Sequence, residues 1–112
     1  MKDRTKALAI PPAVKQAVAE RDSINDWPCC LYCGQPAPTS NPTAFSCAHY
    51  IPRSQGGLGI VENILTLCPE CHRKYDATES RNNMRRYFEM YLKTQHKGWS
   101  ENRLTYKKEE QP

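Results

Sequence analysis

The chain has 112 residues, of which 38% are hydrophobic and 25% charged, with nine prolines and a formal net charge of +4. At that length one domain is expected, spanning residues 1–112 with a core of about 10–97, too small for apolar burial alone to hold firmly. A further staple is therefore expected, and six cysteines offer one, as disulfides or as a metal site.

The first segment, "MKDRTKALAIPPAVKQAVAERD", starts positively charged but has no uninterrupted apolar run, because Pro11 and Pro12 cut it and charges follow. Neither a signal peptide nor a membrane span is expected, which makes the expected location cytoplasmic. In that compartment Cys-x-x-Cys pairs point to metal rather than to structural disulfides. After Pro11–Pro12, "AVKQAVAERD" reads as a short amphipathic helix with Val14, Ala17, Val18 and Arg21 at helical spacing. Turn formers fill "SINDWPCCLYCGQPAPTSNPT", a cysteine knuckle followed by a loop.

"AFSCAHYI" is a strand candidate stopped by Pro52. "RSQGGLGIVEN" is a glycine-bearing loop, and "ILTL" a second short strand expected to pair antiparallel with the first. A helix should start near Cys71 and His72. A second helix carries Met84, Tyr87, Phe88, Tyr91 and Leu92 at i, i+3, i+4, i+7 and i+8, one apolar stripe for the core, with a stop at Gly98. The tail, residues 99–112, is polar and expected to be loose. The fold class is α+β, a small metal-stapled domain with flanking helices.

Cys30 with Cys33 and Cys68 with Cys71 are two Cys-x-x-Cys knuckles, a donor set suited to tetrahedral, structural Zn²⁺. Cys29 and Cys47 are read as non-ligands. His72 and Asp76 lie four apart at the start of a helix, so they share one face and can hold a divalent cation from one side, or simply hydrogen-bond to each other. His49, near a strand end, is a residue type that takes a proton from water near neutral pH. The Asn63 amide can bridge backbone groups of the loop, and Gly56, Gly57 and Gly59 let that loop turn sharply. From Arg73 to Lys97, seven Lys/Arg (Arg73, Arg81, Arg85 and Arg86 among them) face three acidic residues, a surplus of +4. Such helices suit a polyphosphate backbone or form a solvated face.

"CLYCG…AHYIPRSQGGLGIVENILTLCPECHRKYD" resembles the HNH endonucleases over about residues 10 to 80: His, a Gly-Gly loop, Glu-Asn, then Leu-Cys-x-x-Cys-His. The resemblance implies a ββα-metal motif that hydrolyses DNA phosphodiester bonds to 3′-hydroxyl and 5′-phosphate ends. It implies His49 as general base and Asn63 as the middle letter constraining loop and base. His72 would be the last letter and a ligand, with Asp76 a further ligand, for a catalytic ion such as Mg²⁺ or Mn²⁺. Arg53 is expected to pair with a phosphate oxygen. Many members carry Asp or His directly before the base; here that residue is Ala48. Two other classes fit parts of the pattern: a non-catalytic zinc module binding nucleic acid, and a redox protein using Cys29, Cys30 and Cys33.

Overall fold

The computed structural model describes residues 2–41 and 44–107. Its regular elements run α1 (Lys2–Leu8), α2 (Pro12–Asp22), β1 (Ser46–His49), β2 (Ile64–Leu67), α3 (Pro69–Ala77) and α4 (Arg81–Gln95), with short 3₁₀ turns at Arg53–Gln55, Val61–Asn63 and Glu101–Arg103. The α+β architecture follows the sequence. β1 and β2 pair antiparallel, Ser46 opposite Leu67 and His49 opposite Ile64. All of β2 is buried, because α2 covers it while α3 packs on both strands.

A two-stranded sheet exposes open edges, and β2 closes its own with two polar contacts. Leu31 N–H, in the first cysteine knuckle, donates to Thr66 O at 2.9 Å, and Thr66 N–H donates to Asp22 Oδ2 at 3.0 Å. Asp22 sits at the end of α2, where Arg21 grips both its oxygens at 2.7 and 3.0 Å and Tyr91 Oη donates to Oδ1 at 2.6 Å. The same Arg21 guanidinium donates to Val61 O at 2.8 Å and Ile64 O at 2.7 Å. This hub sets the rotation of α2. Its buried face is Val18, Ala19 and Asp22, and Ala17, expected on the apolar stripe, is exposed.

α4 follows its expected stripe at Met84, Phe88 and Leu92, which are buried beside Tyr50, Leu65, Leu67 and Tyr75 in the core; Tyr91 is half-buried, and Tyr87, expected on the same stripe, is exposed. Phe88 meets Tyr75 edge-on at 5.1 Å. Two segments depart from the sequence reading. The chain before Pro11 signals no helix by its hydrophobic pattern, yet α1 forms there and buries Leu8. The tail expected to be loose is held over residues 99–107. Leu104 is 1% exposed, its carbonyl accepts from Leu58 N–H at 2.8 Å, and Tyr106 N–H donates to Gly56 O at 2.8 Å. Trp99 Nε1–H donates to Glu62 O at 2.8 Å. A polar average hid two apolar anchors; residues 108–112 lie outside the described ones. Among the described residues no helix is long and apolar enough to cross a membrane.

Candidate functional site

The sulfurs of Cys30, Cys33, Cys68 and Cys71 all lie within 4.8 Å of one another. A Zn–S bond of ~2.3 Å implies tetrahedral S···S edges of ~3.8 Å, and Cys33 Sγ and Cys68 Sγ stand 3.8 Å apart. Each knuckle bends its backbone toward sulfur: Cys33 N–H points at Cys30 Sγ and Cys71 N–H at Cys68 Sγ, both at 3.5 Å. Gly34, at φ +81°, supplies the left-handed turn after the first pair. Burial alone raises the Cys30 thiol, but backbone N–H donors outweigh it and hold it below an ordinary cysteine. Burial first, then the neighbouring thiols, push Cys71 far above one. Four such thiols cannot all ionise without a cation among them, and the cluster can hold a zinc ion. Cys29 stands apart, its thiol directed at Trp27 O, and Cys47 is not in the cluster.

Strand β1 ends on His49. Its Nε2 lies 2.9 Å from Leu8 O; a carbonyl only accepts, so Nε2 carries the proton of the neutral ring and Nδ1 keeps the lone pair. Burial holds the His49 pKa below the usual histidine value; Arg53 and His72 add to this, while the Leu8 carbonyl and Asp76 oppose it. The ring is therefore neutral at pH 7.

The backbone after His49 is fixed on every side. Tyr50 N–H donates to Asn63 O at 2.7 Å, and Tyr50 O accepts from Tyr75 Oη at 2.8 Å and Arg81 Nη2 at 3.3 Å. Asn63, fully buried, accepts from Ile51 N–H through Oδ1 at 2.8 Å and donates through Nδ2 to Ile51 O at 3.2 Å and Leu58 O at 2.9 Å. Gly57 is required by this packing, since a Cβ there would stand 1.7 Å from Ile51 O.

His72 and Asp76 come together one turn apart on α3, Nε2 to Oδ2 at 3.1 Å. The other ring nitrogen of His72 is 2.8 Å from Ser46 Oγ. Cis ligands of an octahedral ion at ~2.1 Å are ~3.0 Å apart, so this pair fits two corners of one. No third His, Cys, Asp or Glu donor joins them among the described residues. Ala48 shares a strand face with Ser46 and is 1% exposed in the core, so it packs where a carboxylate would face α3.

The arginines divide. Arg81 is turned inward: Nη1 donates to Tyr75 O at 2.8 Å and the guanidinium lies 4.1 Å over the Tyr75 ring. Arg85 pairs with Glu101 at 2.8 Å and reaches Tyr50 Oη at 3.3 Å. Lys93 pairs with Glu89. Arg53, Arg73 and Arg86 are exposed, and the guanidiniums of Arg73 and Arg86 make no ion pair with the described residues. Two contributors escaped the sequence reading. Tyr75 was legible as the buried residue one turn after Cys71 on α3. Leu8 acts through its carbonyl, which no side-chain pattern reports.

Residues 30–78 match the family model described as HNH endonuclease. A curated relative, Anaredoxin of Nostoc sp. (strain PCC 7120 / SAG 25.82 / UTEX 2576), is 44% identical over 39 residues, 35% of this chain and 51% of that protein. The chain thus spans about half the length of the curated relative it matches. The strand pair, the four clustered cysteines and α3 all fall within residues 30–78, the segment that is similar to the HNH endonuclease family model.

Proposed function

We propose that the protein is a metal-dependent endonuclease hydrolysing DNA phosphodiester bonds, with His49 as general base. The observation that carries this is the His49 ring: neutral, protonated at Nε2 by its contact with Leu8 O, and within electrostatic reach of His72, Asp76 and Arg53. Nδ1 is then free to take a proton from water as the water oxygen attacks phosphorus. The P–O3′ bond breaks, and the leaving oxygen is protonated from solvent to give 3′-hydroxyl and 5′-phosphate ends. His72 and Asp76 would hold Mg²⁺ or Mn²⁺, with waters and phosphate oxygens as the remaining ligands. A bound divalent ion supplies charge stabilisation at the scissile phosphate and the leaving oxygen.

Asn63 keeps the backbone beyond the base from moving. Arg53 is disposed to pair with a phosphate oxygen, and Arg73 and Arg86 to contact the backbone further away. Arg81 and Arg85 are engaged with Tyr50, Tyr75 and Glu101, and their contribution is to hold the base-bearing segment rather than DNA. The structural zinc would occupy Cys30 and Cys33, which leaves no free thiolate pair for redox work.

A second reading, a non-catalytic zinc module binding nucleic acid, is favoured by Ala48 and by the hydrogen bonds on both His72 nitrogens. Plasmid cleavage with Mg²⁺ or Mn²⁺, with and without chelator, decides between them. His49→Ala should lower cleavage by ~10²-fold or more while zinc content and fold stay intact. Asp76→Ala should recover in part at higher metal concentration, whereas His49→Ala should not. DNA binding without cleavage under either ion establishes the second reading.

A further inference from the structure

We infer that α1, which lies outside residues 30–78, is the positioning element for the base: the Leu8 carbonyl sets the His49 ring, and Gly59 is the residue that lets it come close. This rests on the reading of His49 as the base.

Three contacts converge there. Leu8 O meets His49 Nε2 at 2.9 Å, Gly59 N–H donates to Ala7 O at 3.0 Å, and the Leu8 side chain is 3% exposed, anchoring the helix end. The last carbonyls of a helix have no partner within it. In α1 the loop takes one and the histidine takes the next, so helix end and base complete each other.

Gly59 is needed for space. A Cβ on it would lie 1.9 Å from Ala9 O and 2.6 Å from Ala9 C, backbone atoms that cannot swing aside. The consequence is chemical. An imidazole has two roughly equivalent orientations about its outer torsion, and only one keeps a lone pair where Nδ1 now points; the flipped ring presents C–H instead. A carbonyl on Nε2 selects both the orientation and the tautomer. Arg4, whose Nη2 lies 3.5 Å from Arg53 O, ties the same helix to the 3₁₀ turn at Arg53–Gln55.

The test is Gly59→Ala in the full chain, read by ¹⁵N NMR of the His49 ring and by kcat and KM for cleavage, with zinc content as the control for fold. In the unmodified protein, neutral His49 should be protonated at Nε2. In Gly59→Ala the ring should become a mixture of tautomers, and kcat should fall on the order of tenfold to a hundredfold, the scale of small misplacements. KM and zinc content should hold. If Gly59→Ala loses its zinc, Leu8→Ala, which removes the anchor, decides by the same readouts. An Nδ1–H tautomer in the unmodified protein overturns the inference, as does an unchanged tautomer in a folded, zinc-loaded variant. If the protein never cuts, yet the Nε2–H signature is present and is lost in the variant, the positioning stands and only the nuclease reading fails.

Discussion

Replacing Asn63 is a severe test, because its side chain connects three backbone groups and touches no solvent. Asn63→Ala removes the acceptor for Ile51 N–H and the donor to Ile51 O and Leu58 O. Each such hydrogen bond contributes about 1 kcal/mol net, and a buried group left without a partner costs about 1–3 kcal/mol. The substitution should therefore destabilise by roughly 3–6 kcal/mol, a large part of the ~5–15 kcal/mol typical of a domain. At about 4–8 °C per kcal/mol for a chain of this size, Tm should fall by roughly 12 °C or more. Thermal melts by circular dichroism with saturating zinc measure it. Asn63→Asp refines the test. It keeps the shape and the acceptor facing Ile51 N–H but turns an oxygen toward two carbonyls. It should be no more stable than Asn63→Ala at neutral pH, although it leaves no cavity. A loss of less than about 4 °C in both variants would mean that the Asn63 amide does not hold the loop.

Cys71→Ser should abolish tight binding of about one zinc per chain and lower Tm sharply, while Cys47→Ser should do far less; equal damage from both refutes the ligand assignment. Arg73→Gln with Arg86→Gln should weaken binding to unrelated DNA sequences and reduce the dependence of affinity on salt. Arg81→Gln should instead appear mainly as lost stability. Burial lowers the His49 pKa, and burial with Arg21 lowers that of His96, so both bind protons less readily folded than unfolded. Stability should thus be flat above pH ~6.5 and decline as pH falls through that unfolded value toward the folded ones. Cleavage should rise with pH through a midpoint below ~6.5 and level off; a midpoint above it refutes a buried, neutral base.

The strand pair, the two knuckles and α4 were legible because each leaves a local mark: short aromatic or apolar runs bounded by Pro52 and the glycine loop, fixed Cys-x-x-Cys spacing, and an apolar stripe at helical spacing. The fate of the long cationic side chains was not. Arg81, Arg85 and Arg86 look alike in sequence, but Arg81 lies over Tyr75, Arg85 reaches Glu101 and Arg86 is exposed. Only the distant partners distinguish them. Arg21 and Asp22 were visible as the end of a helix, while their task, satisfying backbone groups at residues 61, 64 and 66, depends on how α2 docks. Ala48 was legible as a departure from the family pattern, and the strand geometry adds that its side chain lies on the Ser46 face.

The contacts that lock the glycine loop join residues about fifty positions apart: Gly59 to Ala7, Leu58 to Leu104 and Gly56 to Tyr106. Such pairings carry a closure entropy that slows their formation relative to the local knuckles and helices. On the ribosome, the cysteines, His49 and His72 all emerge before residues 104–106, so a nascent chain can gather its four clustered cysteines while the loop beside His49 still lacks its second clamp. The segment that supplies the second clamp is thus made after all of these residues, and until it emerges the chain differs in the alignment of its loop rather than in its complement of cysteines and histidines at 30–72.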